Sequence, residues 1–447
     1  MQPADTPAFI RHFREAAPYI DYLRGKTLVA GIAGSLLTPE RFRPIAADLA
    51  LMAGLGIRLV LGYGSRSQIS AACAAQGIEP RYHLGRRVTD DTVIEIAKQV
   101  CGRLNYEIEA ALSVGLSHSP QRGRRLRVVS GNFVSARPIG IIDGIDMGYT
   151  GCVRKTDAEA VQSCLDSGAV VLISPLAASL GGKTFNLAMT DIAESAAAAL
   201  QAEKLVFLIE QEGILDEEGR RLSNLSSEEA EGRLKNGGIL PQQRELLRTA
   251  LSAVGKGVQR CQILSGLADG DLIGELFTRS GTGTTVAQAP FMRIRPAEGS
   301  DIPDLIALIR PLEAQGILVR RSREYLETHI GGFSVLEHDR QIYGCVALKT
   351  FADAPESGEL ACLAVSPEAQ DGGYGELLLQ HLIGRARSLR LKKLFALSTQ
   401  TGDWFAERGF QTASPADLPA VRQAEYRSSG RQSAVFVLGL DGAEQAG

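Results

Sequence analysis

Between Gly358 and Gly375 the chain reads GELACLAVSPEAQDGGYG, and three kinds of residue there can do chemistry. They are a carboxylate, Glu359, a thiol, Cys362, and a turn carrying Gly372, Gly373 and Gly375. The glycines let a backbone approach a phosphate closely. A helical pattern starts directly after them, with Leu377, Leu378, Leu382 and Ile383 at helical spacings. The first turn of such a helix offers unpaired N–H groups and the positive end of its dipole, which together favour an anion. The strand in front of the turn is the apolar run Leu360 to Val365, broken at Ser366-Pro367. Glu359 opens that strand and is the only carboxylate between Gly358 and Ser366, so one proton acceptor sits at its head.

Gln370, Gly373 and Gly375 spell Q-x-x-G-x-G. With an apolar strand before it and a helix after it, the stretch resembles the acetyl-CoA pyrophosphate motif of the GNAT acetyltransferases. The resemblance implies that Gln370, Gly372, Gly373 and Gly375 bind the pyrophosphate. It also implies that the backbone of Cys362, Leu363 and Val365 pairs with the pantetheine arm. Cys362 then reads as a packing residue, since no histidine lies nearby in sequence to activate its thiol.

The chain has 447 residues, enough for two or three domains. Its net charge of −3 gives no electrostatic reason to expect nucleic acid or an anionic membrane as partner. The seven cysteines, Cys73, Cys101, Cys152, Cys164, Cys261, Cys345 and Cys362, form no C-x-x-C pair, and the six histidines form no H-x-x-x-H group. No metal is expected. The cysteines read as reduced core residues of a cytoplasmic protein. The N-terminus lacks a basic region followed by an apolar core, and no apolar run is long enough to span a bilayer.

Stepping outward from the motif, Phe9, Ile10, Phe13, Ala17, Ile20 and Leu23 predict an amphipathic helix over 8–24. From Thr27 to about Val286, short apolar runs over 28–32, 58–61, 169–173, 204–209 and 258–264 alternate with helical patterns over 41–55, 92–112, 158–167 and 191–202. That alternation predicts a mostly parallel sheet covered on both faces. Three nucleotide or hydrolase motifs fail in this region. Ser67 stands where a dinucleotide fingerprint needs its third glycine, Ala177 stands where a P-loop ending in Gly182-Lys183-Thr184 needs its first, and no G-x-S-x-G occurs. After Ala287-Gln288-Ala289-Pro290 a new strand opens at 292–295, and a capped helix follows from Ser300.

The segments FREAAPYI, RGKTLVAGI, GIRLVLGYGSRSQI, GRRVTDD, GGKTFNL, AEKLVFL, GGILP and ELFTRSGTGT, in that order, resemble the amino-acid kinase domain of bacterial N-acetylglutamate synthases. The whole chain therefore resembles that family. The resemblance implies an α/β fold: an amino-acid-kinase-like sandwich with a mostly parallel sheet and helices on both faces over 1–288, a linker at 289–291, an α+β GNAT domain over 292–440 and a tail over 441–447. It implies transfer of acetyl from acetyl-CoA to the α-amine of L-glutamate, the first step of arginine biosynthesis, by direct attack. Glu359 is the expected general base, and Ser398 the expected hydrogen-bond donor to the departing sulfur. Two carboxylates on the acceptor call for arginine forks, and the family pattern points to Arg431 and Ser433, with Arg321 or Arg323 as a second fork.

A kinase needs fixed positive charge on the moving phosphoryl group. Leu28 to Gly34 hold no lysine, and Gln242 stands where related acylglutamate kinases carry one after G-G-x-x-P. The first domain thus reads as a pseudokinase. Its Glu275, Gly281, Gly283 and Thr284, with Lys204, resemble the signature that binds arginine as a feedback inhibitor, Glu275 pairing with the guanidinium and Gly281 to Thr284 taking the carboxylate and amine. Tyr63 and Ser67 depart from the usual histidine and proline. The N-terminal helix resembles one that builds hexamers, so a homo-oligomer is expected. An acylglutamate kinase with an accessory GNAT domain, a non-catalytic arginine sensor and a GNAT acting on another amine are the alternatives.

Overall fold

The computed structural model describes residues 6–114, 126–278, 281–288, 292–338, 341–367, 373–428 and 433–440. Gln370, Gly372, Arg431, the 289–291 linker and the 441–447 tail lie outside the described residues. The chain divides into two compact units, Met1–Pro290 and Phe291–Gly447.

The first unit is built on eight strands: β1 (Thr27–Ile32), β2 (Arg58–Tyr63), β3 (Val128–Ser130), β4 (Val170–Ile173), β5 (Lys204–Ile209), β6 (Asn224–Ser226), β7 (Arg260–Ser265) and β8 (Thr284–Ala287). Their order is β6-β8-β7-β5-β1-β2-β4-β3. All neighbours are parallel except β7 and β8. A parallel strand is buried on both faces, and here alternate residues feed two separate cores. Leu28, Ala30, Ile32, Leu59 and Leu61 pack under the helices Pro39–Gly54 and Asp91–Ser113. Val29, Val60, Leu205 and Phe207 pack under Met189–Ala199 and Arg244–Gly255. The expected doubly covered sheet is present. Strands β3 and β6 have only three residues each, too few to show a period in the sequence.

Helix α1 (Thr6–Leu23) attaches through Leu23, with Ala16, Tyr19 and Ile20 against the first core. Phe9, Ile10 and Phe13 on its other side are exposed, the two phenylalanine rings stacked 6.0 Å apart.

The second unit carries β9 (Arg293–Pro296), β10 (Phe333–His338), β11 (Gln341–Thr350), β12 (Ser357–Val365), β13 (Lys393–Ser398), β14 (Gln411–Ala413) and β15 (Ala434–Gly439). The order is β9-β10-β11-β12-β13-β15-β14. Only β12 and β13 are parallel, joined by the crossover helix α2 (Tyr374–Ser388). Leu378, Leu379 and Leu382 of α2 fill the core on one face, and Ile302, Leu305 and Ile309 of α3 (Ile302–Ala314) fill the other. Among the described residues no helix is long and apolar enough to cross a membrane, and no cluster of three or more His, Cys, Asp or Glu could hold a metal.

Candidate active site

The centre of the second unit is a gap in its sheet. Strands β12 and β13 pair only from Ser357 to Leu360 against Lys393 to Ala396. On its other edge β12 is bulged: Cys345 pairs with Ala364 and Ala347 with Ala361, so three steps on β12 face two on β11. Cys362, at the bulge, has φ +52, a left-handed conformation unusual for a residue with a Cβ. The Cys345 thiol donates to its carbonyl at 3.3 Å and holds the bulge in place. The bend carries β12 away from β13. Ala361, Cys362, Leu363 and Val365 then border a cavity of ≈ 770 Å³. Buried backbone groups need partners, so this edge suits an extended chain bearing amides of its own.

At one end of the cavity stand Gly373 and Gly375. Gly373 has φ +69 and caps α2 at its N-terminus, where free N–H groups collect. Arg408 borders the same end; its Nε donates to Glu376 at 2.5 Å and its guanidinium lies 4.0 Å from the Trp404 ring centre. An extended amide chain leading to a phosphate at a helix N-terminus describes coenzyme A, and these features fit it.

Glu359, Arg422 and Ser398 border the same cavity. Glu359 is buried, and its two oxygens accept from Arg422 Nε and Nη2 at 2.8 and 2.9 Å. A carboxylate has about four lone-pair positions, so this bidentate pair leaves two. Burial opposes the charge on Arg422, yet its bonds to Glu359 and the nearby Glu425 outweigh that and raise its pKa. Ser398, at the end of β13, borders the cavity too. Its oxygen accepts the backbone N–H of Thr401 at 3.0 Å and lies 2.7 Å from the Thr401 hydroxyl. It also accepts the backbone N–H of Gln400 at 3.3 Å, so both lone pairs are taken and its single O–H either meets the Thr401 hydroxyl or turns into the cavity.

The structure brings Glu359, Cys362, Leu363, Val365, Gly373, Gly375, Ser398, Ser433 and Arg321 to one cavity. Arg321 lies 4.9 Å from the Tyr325 ring centre, with its Nε buried and without a hydrogen-bond partner among the described residues. Arg323 stands apart, exposed on its helix and paired with Glu327 one turn on at 2.9 Å.

In the first unit Lys204, Glu275, Gly281, Gly283 and Thr284 also come together, in an arrangement different from the expected open fork. Glu275 is buried and fully engaged. Oε1 accepts from Gln262 Nε2 at 2.7 Å and Thr285 Oγ1 at 3.0 Å; Oε2 accepts the backbone N–H of Thr282 at 2.5 Å and of Gly283 at 2.8 Å. A Cβ on Gly281 would lie 2.7 Å from that carboxylate. Gln262 Oε1 is buried and has no partner among the described residues. Burial, then the neighbouring Arg260, lower the Lys204 pKa to about 8 against the opposing pull of Glu275 and Glu203. Gln242 is exposed, while Gln243 beside it bonds the backbone at Leu215 and Gly213, both at 2.9 Å.

Comparison with known proteins fits both halves. Residues 26–265 match the amino acid kinase family and residues 304–410 the acetyltransferase (GNAT) family. An amino-acid acetyltransferase of Neisseria meningitidis serogroup B is 53% identical over 429 residues, 96% of this chain and 98% of its own. The chain belongs to the amino-acid acetyltransferase family. A Pseudomonas aeruginosa amino-acid acetyltransferase is 46% identical over 430 residues, 96% of this chain and 99% of its own. The crystal structure of N-acetylglutamate synthase from Neisseria gonorrhoeae, complexed with coenzyme A and L-arginine, superposes with a TM-score of 0.88 at 51% identity, over 97% of this chain and all of that one. The same enzyme complexed with coenzyme A and N-acetyl-glutamate gives 0.62 at 52% identity.

In this amino-acid acetyltransferase several cavity residues escaped the sequence reading: Arg422, Lys349, Glu425, Thr401 and Arg408. Arg422, Glu425 and Tyr426 lie at i, i+3 and i+4 on the helix α4 (Ala420–Ser428), so a polar stripe was there to be read. Lys349 is the cross-strand partner of Glu359, a relation fixed by sheet register and invisible without it. Trp404 packs against the core that holds Phe405 and Phe410 and also borders the cavity.

Proposed function

We propose that the enzyme moves the acetyl group of acetyl-CoA onto the α-amine of L-glutamate by direct attack, and that arginine bound to the first unit inhibits it. Acetyl-CoA supplies the acyl group as a thioester. Glu359 takes the proton that the amine must lose before its nitrogen can attack the carbonyl carbon. Ser398, its O–H turned from Thr401 towards the cavity, donates a hydrogen bond to the sulfur as the C–S bond breaks and the new C–N bond forms. Arg431 and Ser433, with Arg321, are the proposed holders of the acceptor's carboxylates. The observation that carries this reading is the bulged, splayed strand β12, which has its one carboxylate, Glu359, and Ser398 of β13 on a single cavity.

The unpartnered Gln262 oxygen beside Glu275 supports an arginine site, since a guanidinium offers five donors. Glu275 must then exchange one of its present donors for the ligand. The exposed Phe9 and Phe13 pair on α1 supports self-association through that helix, with a hexamer as the suspected form. All seven cysteines are free, in keeping with a cytoplasmic location. The deciding experiment is thiol release from acetyl-CoA with a panel of amino acids, with and without arginine. Glutamate is expected to outpace the others and arginine to slow it. Equal turnover on monocarboxylic amino acids overturns the substrate, and indifference to arginine overturns the regulation.

A further inference from the structure

At the acceptor end of the cavity four side chains alternate in charge. Arg422 holds Glu359 with its Nε and Nη2 edge, while its Nη1 lies 3.4 Å from Glu425. Lys349 Nζ lies 3.1 and 3.0 Å from the two oxygens of the same Glu425. Two cations and two carboxylates cancel. A dicarboxylic amino acid entering this end brings a net negative charge, and the two cations already have internal partners. Binding its carboxylate here requires one internal carboxylate to leave.

Exposure identifies which one. The side chains of Glu359, Arg422, Lys349 and Glu425 are 7%, 14%, 28% and 46% exposed. Glu359 is clamped at the buried end by a bidentate bond. Glu425 is the outermost member, on a surface helix, and an exposed ion pair contributes little to stability and is easily broken. We propose that Glu425 is a stand-in for a carboxylate of the substrate. It occupies Lys349 and the outer edge of Arg422 while no acceptor is bound, and it gives way when the amino acid arrives. Lys349 is then a substrate contact that selects for a second carboxylate, because an amino acid without one has nothing to exchange for Glu425. This inference rests on the proposed acetylation of glutamate.

The test is a kinetic comparison of the full chain with its E425Q and K349M variants. E425Q keeps the side-chain shape and removes the competing charge. Its KM for L-glutamate is expected to fall about two- to fivefold, the size of a weak ion pair, while the acetyl-CoA KM holds within about twofold. K349M is expected to raise the glutamate KM by about tenfold or more through loss of a charge-assisted bond. A residue that merely braced the pocket would give the opposite sign, a higher glutamate KM in E425Q. That result, or an unchanged KM in either variant while the parent enzyme acetylates glutamate, overturns the stand-in alone. No glutamate turnover by the parent enzyme overturns the functional reading beneath it.

Discussion

Glu275 in the first unit and Glu359 in the second are the same residue type and almost equally hidden, 6% and 5% exposed. They are held in opposite ways. Glu275 takes four hydrogen bonds from an amide, a hydroxyl and two backbone N–H groups, two on each oxygen. Glu359 takes two from a single guanidinium and borders a cavity. With about four lone-pair positions per carboxylate, Glu275 is saturated and Glu359 keeps two. Burial therefore does not separate an anchoring carboxylate from one with the proposed role of a base. What separates them is the unspent acceptor capacity and the space in front of it.

The strongest way to break this contrast is Glu359→Gln. The amide oxygen still accepts one of the two Arg422 N–H groups while the amide NH2 cannot accept the other, and no proton can be taken up. A positioned base contributes roughly 100- to 10,000-fold, and kcat at neutral pH is expected to fall by that factor. Activity within a few-fold of the parent would falsify the role and make Glu359 a second anchor like Glu275.

Next in size is the ammonium buried beside Glu275. With the Lys204 pKa lowered from 10.5 to about 8, the folded state binds its proton less tightly than the unfolded chain does. At about 1.36 kcal/mol per pH unit the buried charge costs up to about 3 kcal/mol. This cost is fully present below pH 8 and fades as pH rises through 8 towards 10.5. Lys204→Met is expected to stabilise the first unit at pH 7, by an amount that shrinks towards pH 10, and to weaken arginine inhibition. Denaturant unfolding of parent and variant at several pH values measures it. A variant less stable at pH 7 would mean that Lys204 is well paired, and that this cluster is no more open to a ligand than its saturated glutamate.

The two sites were unequally legible in the sequence. The strand, turn and helix around Gly358 to Gly375 could be read because adjacent residues carry the whole device and each element has its own period. Glu359 stood out as the one carboxylate of its strand. Arg422, Lys349 and Glu425 reach the same cavity through a sheet register and a helix over sixty residues downstream of Glu359, and no local pattern joins them. The open fork expected of Glu275 differs for the same reason. Its partners Gln262 and Thr285 are neighbours across β7 and β8, so only the pairing of those strands reveals that they already fill one of its two oxygens. The sheet of the first unit followed from alternating strand and helix signals, whereas its two shortest strands, of three residues each, carry too few to show any.

The smallest expected effect tests the saturated site by its geometry. Gly281 has φ +60, and a Cβ there would lie 2.7 Å from Glu275 Oε2. Gly281→Ala has to pay backbone strain and push the turn off the oxygen that accepts from Thr282 and Gly283, together about 1–2 kcal/mol. The first unit should melt earlier, and half-inhibition should need more arginine, because the turn that frames the proposed ligand has moved. Turnover without arginine should stay within about twofold, since none of these residues borders the cavity proposed for acetyl transfer. Thermal melting and an arginine titration of the same preparation read both effects. Lower stability with unchanged inhibition leaves Glu275 as an anchor for its turn and nothing more, and the arginine site must then be sought elsewhere in the unit.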